Sequence, residues 1–256
     1  EMKIVAITQA RTGSTRFPNK IMNKIEDETL LSIHIKRIKK SKKIDSIIIA
    51  TTNKKKDDII ELESNKLNVS CYRGDEEDVL DRFYHAAKSY KPDFVVRLTS
   101  DCPLIDPSLI DIIIESTVNS KVDYCSNTLI ESYPDGQDVE VFTFNSLKKA
   151  WKESVLISDR EHVTPYMKKN FKVLNVHSNN MKFNKVRMTV DEPNDFIVIK
   201  RLVEKLGVND KWENYTNLYL NDKTICSTND YITRNEGYIK SVKNDLINYE
   251  KRSRLI

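Results

Sequence analysis

The sequence holds four cysteines, Cys71, Cys102, Cys125 and Cys226, and no two of them form a CxxC pair. Zinc-site spacing is therefore absent, and scattered thiols of this kind suit a reducing compartment. No apolar run reaches the ~18 residues that suggest a membrane span. The chain enters a strand pattern at once, at Met2-Lys3-Ile4-Val5, which leaves no room for a signal peptide. Glu1 ahead of Met2 has the look of an added residue. There is no internal repeat, no low-complexity linker and no GxxxxGK[ST] phosphate loop. Neither sign of charge dominates: 42 Lys and Arg stand against 38 Asp and Glu, a net charge of +4. That is too small to require a polyanionic partner. The basic cluster Lys36, Arg37, Lys39, Lys40, Lys42 and Lys43, with Lys54-Lys55-Lys56 beyond it, has no interleaved aromatic set. A solvated helix face is preferred there to a nucleic-acid-binding module. These absences leave the expectation of a cytoplasmic protein that binds neither membrane nor nucleic acid.

What is present is a chain of 256 residues, 39% apolar. It suits one large α/β domain, or one domain with a small addition, and is long enough to bury a real core. Short apolar runs at 4–8, 47–51, 69–72 and 94–98 read as strands. The segments around 30–38, 57–67, 78–90 and 107–118 read as helices, the last with Pro107 in its first turn. The alternation predicts a mostly parallel sheet with helices on both faces, and the run Ile47-Ile48-Ile49 suits a strand covered on both sides. The second half is less regular. Strands are expected at 138–144, 173–176 and 186–190, and helices at 145–153, 159–169, 195–206, 212–220 and 238–251.

On such sheets ligands bind beyond the carboxyl ends of the strands, so the residues after Ile7, Thr51, Tyr72 and Leu98 are the candidates. The first loop, Gln9-Ala10-Arg11-Thr12-Gly13-Ser14-Thr15-Arg16-Phe17-Pro18-Asn19-Lys20, places Arg11, Arg16 and Lys20 just past a strand. Gly13 permits a tight turn. Ser14 and Thr15 add hydroxyl donors, and the arginines match phosphate oxygens in a bidentate way. Together they suit a triphosphate, or else an ordinary solvated loop. Asp101 follows Leu98-Thr99-Ser100 at a strand tip and can bind Mg²⁺, which takes one or two carboxylates plus phosphate and water. Asp106 ahead of Pro107 fits a helix cap. Asp191 ends another strand pattern and stands evenly between a turn residue and a second metal ligand. Arg73, beside Gly74, offers donors to a nucleobase. Asp138 and Glu140 project the same way if their segment is a strand. His162, between Glu161 and Val163, is either structural, a general base or a substrate contact.

Taken in order, QARTGSTRFPNK, RGDEEDVLDRFYHA, RLTSDCPLIDP, DGQDVEVF, REHVTPY and TVDEPND resemble the SpsF-type cytidylyltransferases of spore-coat polysaccharide biosynthesis, relatives of CMP-KDO and CMP-sialic acid synthetases. The resemblance covers roughly residues 3–206, and 231–238 is similar to the tail of such proteins. It implies a Rossmann-like, three-layer α/β/α fold of the nucleotide-diphospho-sugar transferase type. A nucleotidyltransferase domain would occupy 2–206, and a helical extension, 207–256, would pack on the same domain. The implied reaction joins CMP from CTP to a small anionic acceptor and releases pyrophosphate. Arg11, Lys20 and Asp101 would be catalytic. Gln9, Ala10, Arg11, Gly13, Ser14, Arg16, Lys20, Thr51, Arg73, Thr99, Ser100 and Asp101 would hold the nucleotide. Asp138, Glu140, Arg160, Glu161 and His162 would hold the acceptor, and Asp101 and Asp191 the Mg²⁺. Relatives of this kind are often dimers, and the second half would supply a homodimer interface. The usual leucine after the second loop arginine is Phe17 here. The usual glycine before the lysine is Asn19, which tolerates a left-handed backbone.

A sugar-nucleotide-dependent glycosyltransferase of the same fold is the chief rival. It would set a DxD pair at its metal, whereas Asp101 is flanked by Ser100 and Cys102. The sequence does not name the acceptor. An acidic sugar, a sugar or polyol phosphate and a phosphonate all fit.

Overall fold

A computed structural model describes residues 2–253. Glu1, and 254–256 of the expected extension, lie outside the described residues. The chain runs β1 (Ile4–Gln9), β2 (Lys24–Ile25), β3 (Glu28–Thr29), α1 (Leu30–Ile38), β4 (Ser46–Thr52), α2 (Asp58–Lys66), β5 (Ser70–Gly74), α3 (Val79–Lys88), β6 (Phe94–Thr99) and α4 (Pro107–Ser120). It continues through β7 (Tyr124–Ser126), β8 (Glu140–Thr143), α5 (Phe144–Glu153), α6 (Ile157–His162), α7 (Pro165–Asn170), β9 (Val173–Asn175), α8 (Pro193–Leu206), α9 (Trp212–Asn221), α10 (Lys223–Cys226) and α11 (Glu236–Ser253).

Alternation along β1 shows why the sheet is covered on both sides. Successive side chains of a strand point to opposite faces. Ile4 and Ala6 join one core with Leu31, Ile35, Ile49 and Ile110. Val5 and Ile7 join another with Ile48, Leu80, Phe83 and Val95. The seven strands lie in the order β5-β4-β1-β6-β8-β7-β9. β5, β4, β1 and β6 are parallel to one another, with Ile7 opposite Ile48 on one side and Arg97 on the other. β8 runs antiparallel between β6 and β7, so the sheet is mostly parallel rather than wholly so. Side-chain caps start the helices: Thr29 accepts from Ser32 N–H, Asp78 from Asp81 N–H and Asp106 from Ser108 N–H.

Two expected elements take another form. The helix expected over 159–169 is broken into α6 and α7. Pro165 starts the second piece without an N–H, and Val163 sits at φ 68° between the pieces. The strand expected at 186–190 pairs only at a single bridge, Asp135 with Arg187. There Asp135 N–H donates to Val186 and Met188 N–H donates back to Asp135, so the segment folds around the turn at Gly136 rather than along a sheet edge.

The segment after Leu206 is tied to the rest at several points. Arg37 of α1 donates to the Val208 and Asp210 carbonyls, and Trp212 N–H donates to Asp106. Tyr215 and Tyr219 share a core with Val198 and Leu202 of α8. Ser158 N–H of α6 donates to Asp245 of α11. No described helix is long and apolar enough to cross a membrane.

Candidate active site

A cleft of about 700 Å³ opens at the carboxyl ends of β1 and β6. Its floor is the first loop. Thr12 fixes that loop: its N–H and its hydroxyl both donate to Asp57 Oδ1, at 2.8 and 2.7 Å, and Asp57 is fully buried. Asn19 adopts φ 56°, the left-handed turn needed just before Lys20. Phe17 turns away and packs on Phe196 of α8, with ring centroids 6.2 Å apart. Gln9, Ala10, Arg11, Arg16 and Lys20 are left lining the cleft.

Asp101 and Asp191 come together through backbone bonds. Val190 N–H donates to the Asp101 carbonyl at 2.8 Å, and the Thr189 hydroxyl adds a second bond to it at 3.2 Å. Lys20 Nζ then lies 2.8 Å from Asp191 Oδ1 and 3.8 Å from Asp101 Oδ2. Burial alone would lower the Lys20 ammonium, but the two carboxylates outweigh it and hold it above the usual lysine range. Burial likewise pushes Asp191 up, yet Lys20, Arg187 and Arg16 prevail and keep its carboxyl below the usual range. Arg187 orients Asp191 at 3.2 Å while its other donors hold Asp195 and Asp135.

Two carboxylates facing one ammonium, each still partly open to the cleft, form a donor set that suits Mg²⁺ with phosphate and water completing its shell. Among the described residues no cluster of three or more His, Cys, Asp or Glu side chains could hold a metal. A closed, all-protein cage is therefore not what is built here.

Thr99 and Ser100 line the cleft beside Asp101. Behind them a buried chain of hydrogen bonds holds the strand tips. The Cys102 carbonyl accepts from His34 Nδ1–H, so His34 Nε2 accepts from the Thr8 hydroxyl, and Thr8 in turn meets Ser100 Oγ at 3.0 Å. Burial lowers His34 to about 4, so the ring is neutral. Burial also raises the Cys102 thiol well above its ordinary value, which leaves it inert.

An adjoining hollow of about 320 Å³ continues the cleft past Arg97 and Thr99. Asp138, Glu140 and His162 border it, and Glu161 borders the main cleft. Arg97 donates to Glu140 at 2.5 Å and to Gln9 at 3.0 Å. Burial would raise Glu140, but Arg97, Lys168, Thr164 and Tyr124 prevail and set it at about 2. Burial pushes Asp138 up, against the opposing pull of Arg234 at 3.2 Å.

Several expected residues lie elsewhere. Arg73 is held by Asp58 at 2.7 Å, Glu61 at 2.9 Å and the Thr52 and Lys54 carbonyls, and latches β5 to α2. Arg160 grips Asp78 with two nitrogens and donates to the Trp151 carbonyl. Thr51 is fully buried. Gly13 faces Lys56 and Glu76, while Ser14 Oγ accepts from Phe17 N–H inside the loop.

Other lining residues stand outside the quoted motif roles. Arg97 interrupts an apolar strand, Phe94-Val95-Val96-Arg97-Leu98, and that interruption is its signal. Arg82 shares the buried stripe of α3 with Val79, Phe83 and Ala86, again a place where arginine is anomalous. Its Nε and Nη1 are buried and have no hydrogen-bond partner among the described residues. Thr233, Asn235, Glu236, Gly237 and Tyr238 close one side of the cleft, with Arg16 reaching Glu236 at 2.8 Å. That strap lies within 231–238, the segment that resembles the tail of the family, and its place at the cleft is set by the tertiary structure.

A family profile described as cytidylyltransferase matches residues 5–225. An uncharacterized protein of Methanocaldococcus jannaschii is 46% identical over 199 residues, 76% of this chain and 81% of its own length. The spore coat polysaccharide biosynthesis protein SpsF of Bacillus subtilis is 35% identical over 213 residues, 80% of this chain and 88% of its own. Among solved structures, a cytidylyltransferase from Leptospira borgpetersenii superposes with a TM-score of 0.83 at 31% identity, covering 91% of this chain and 99% of that one. A CMP-KDO synthetase complexed with CTP superposes with a TM-score of 0.60 at 14% identity, over 79% of this chain and 99% of that one, which speaks to fold alone.

Proposed function

The chain belongs to the cytidylyltransferase family, and from that premise we propose that it joins the CMP part of CTP to a small anionic acceptor with release of pyrophosphate. The observation that carries this reading is the Lys20 ammonium, set between Asp191 at 2.8 Å and Asp101 at 3.8 Å beside a loop of further cations. Arg11, Arg16 and Lys20 line one wall and supply the charge for a triphosphate. Arg16 is held by Glu236 at 2.8 Å, with Glu192 and Asp191 further off. On binding, phosphate oxygens take over from these carboxylates. Asp101 and Asp191 would hold Mg²⁺, which when bound offsets charge on the α-phosphate and the leaving group.

Lys20 stays beside the departing pyrophosphate because two carboxylates keep it protonated. Arg187 prevents Asp191 from swinging away. Asp138, Glu140, Glu161 and His162 border the space where the acceptor enters. Positioning and charge neutralisation supply most of the catalysis in phosphoryl chemistry, and these groups provide both. The likeness to SpsF favours a role in polysaccharide biosynthesis. Four cysteines with no disulfide between them suit a cytoplasmic enzyme.

The test is pyrophosphate release from CTP and Mg²⁺ across acidic sugars, sugar and polyol phosphates and phosphonates. Release with at least one acceptor, and preferentially with CTP over ATP, GTP and UTP, is expected. Sugar-nucleotide consumption without pyrophosphate would instead establish a glycosyltransferase.

A further inference from the structure

His162 ends α6, and α11 packs against that helix with Ser241 facing the ring. The Ser241 hydroxyl lies 2.6 Å from Glu161 Oε2 and 2.9 Å from His162 Nε2. A carboxylate has only lone pairs to offer, and a serine has one proton. At 2.6 Å that proton must lie between Ser241 and Glu161, since two lone-pair oxygens so close would repel. The longer contact from Ser241 to the Gly237 carbonyl, 3.2 Å, therefore does not receive it. The bond to the ring then runs the other way, from Nε2–H to Ser241 Oγ. The tautomer is fixed, and the ring's lone pair sits on Nδ1.

Nδ1 makes no hydrogen bond among the described residues, and the ring borders both the cleft and the adjoining hollow. Tyr238 meets the ring edge-on, 5.3 Å between centroids at 89°, and holds its plane. The charged groups facing it are Glu161 on α6, Arg97 on β6, Lys168 on α7 and Glu140 on β8. Burial, followed by the partly cancelling charges around it, keeps the imidazole below the usual histidine range, hence neutral near pH 7.

We propose that His162 is the general base of the acceptor site, taking at Nδ1 the proton of a neutral hydroxyl, with Ser241 and Glu161 as positioning residues that fix its tautomer. This rests on the cytidylyltransferase reading. The acceptor O–H bond breaks and its proton passes to Nδ1. The freed oxygen pair forms a bond to the α-phosphorus of CTP, and the α–β phosphoanhydride bond breaks with its electrons leaving on pyrophosphate. The imidazolium afterwards returns its proton to water. A carboxylate or phosphate nucleophile is already ionised at neutral pH and has no need of such a group. The acceptor class is thus narrowed to molecules that attack through a hydroxyl and carry any negative charge elsewhere.

Two measurements test this. Long-range ¹H–¹⁵N spectra of the full chain at pH 7, with His162 assigned through His162→Gln, should show a single Nε2–H tautomer that becomes a mixture in Ser241→Ala. An Nδ1–H pattern in the unaltered protein overturns the proposal, and this readout needs no substrate. In turnover with a hydroxyl acceptor, His162→Gln should lower kcat by ~10²-fold or more. Its KM for CTP should stay within about threefold, and the acidic limb of kcat/KM against pH should disappear. Imidazole should partly rescue His162→Ala. An active parent protein with an unimpaired His162→Gln variant overturns the base alone. A parent protein that releases no pyrophosphate with any acceptor overturns the cytidylyltransferase reading, and the base role with it.

Discussion

Lys20 and Asp191 meet at 2.8 Å across most of the length of the chain, and Asp101 completes the group at 3.8 Å. The first loop thereby faces a carboxylate pair assembled from the end of β6 and from the extended segment that leads into α8. Asp101→Asn keeps the shape and removes one negative charge. Turnover is expected to fall ~10²–10³-fold, in the range seen when one preorganised electrostatic group is lost. CTP should still bind detectably in equilibrium titration, because Arg11, Arg16 and Lys20 are untouched. Unchanged turnover would remove Asp101 from the metal set.

Arg82 is the second point of attack. The residue is 2% exposed and lines the cleft, and its Nε and Nη1 have no hydrogen-bond partner among the described residues. Burial, reinforced by Arg11, pulls it down to about 10, so it remains charged at neutral pH. A buried donor without an acceptor costs ~1–3 kcal/mol. Arg82→Met should therefore leave the thermal midpoint unchanged or raise it, while the KM for CTP rises about tenfold or more as the acceptor atoms of the nucleotide lose their donors. A loss of stability with an unchanged KM would make Arg82 a structural residue.

His34 gives the fold a pH dependence. Its value is about 4 in the folded chain against an ordinary 6.5, first because it is buried and despite its bond to Cys102. Between those values the unfolded chain binds the extra proton, so the contribution is full above pH 6.5 and is lost as pH falls toward 4. From pH 7 to pH 5 the loss is about 2 kcal/mol. Urea unfolding at the two pH values should show it in the parent protein and not in His34→Leu. Glu140, held at about 2, keeps its full contribution above its ordinary 4.5 and loses it only as pH falls from there toward 2, so the two windows largely separate.

Gly136 holds the turn that presents Asp135 and Asp138. It lies at φ +105°, and a Cβ there would stand 2.5 Å from the Met188 carbonyl carbon. Gly136→Ala should cost ~1–3 kcal/mol for the backbone alone, plus whatever displacement of Met188 demands. Because Met188 adjoins Arg187, activity should fall more than stability. A fully active, fully stable variant would show that the turn is free to relax.

Much of this was legible along the chain. The β-branched runs at 4–8, 47–51 and 94–98 specify strands by local sterics and burial. Alternation with amphipathic helices makes them parallel and puts the site at their carboxyl ends. The cations of the first loop, the cap at Asp106, and the left-handed turn at Asn19 follow from residue type and near neighbours. Arg73 and Arg160 were less readable. A half-buried arginine can serve a ligand or a neighbouring carboxylate, and here Asp58 and Glu61 claim one and Asp78 the other. The antiparallel insertion of β8, the Val190-to-Asp101 bond that sets two carboxylates before Lys20, and the strap that brings Ser241 to His162 are decisions of the tertiary structure. Each is a contact between residues remote in sequence, and its geometry is fixed by packing and backbone hydrogen bonds that no local pattern encodes.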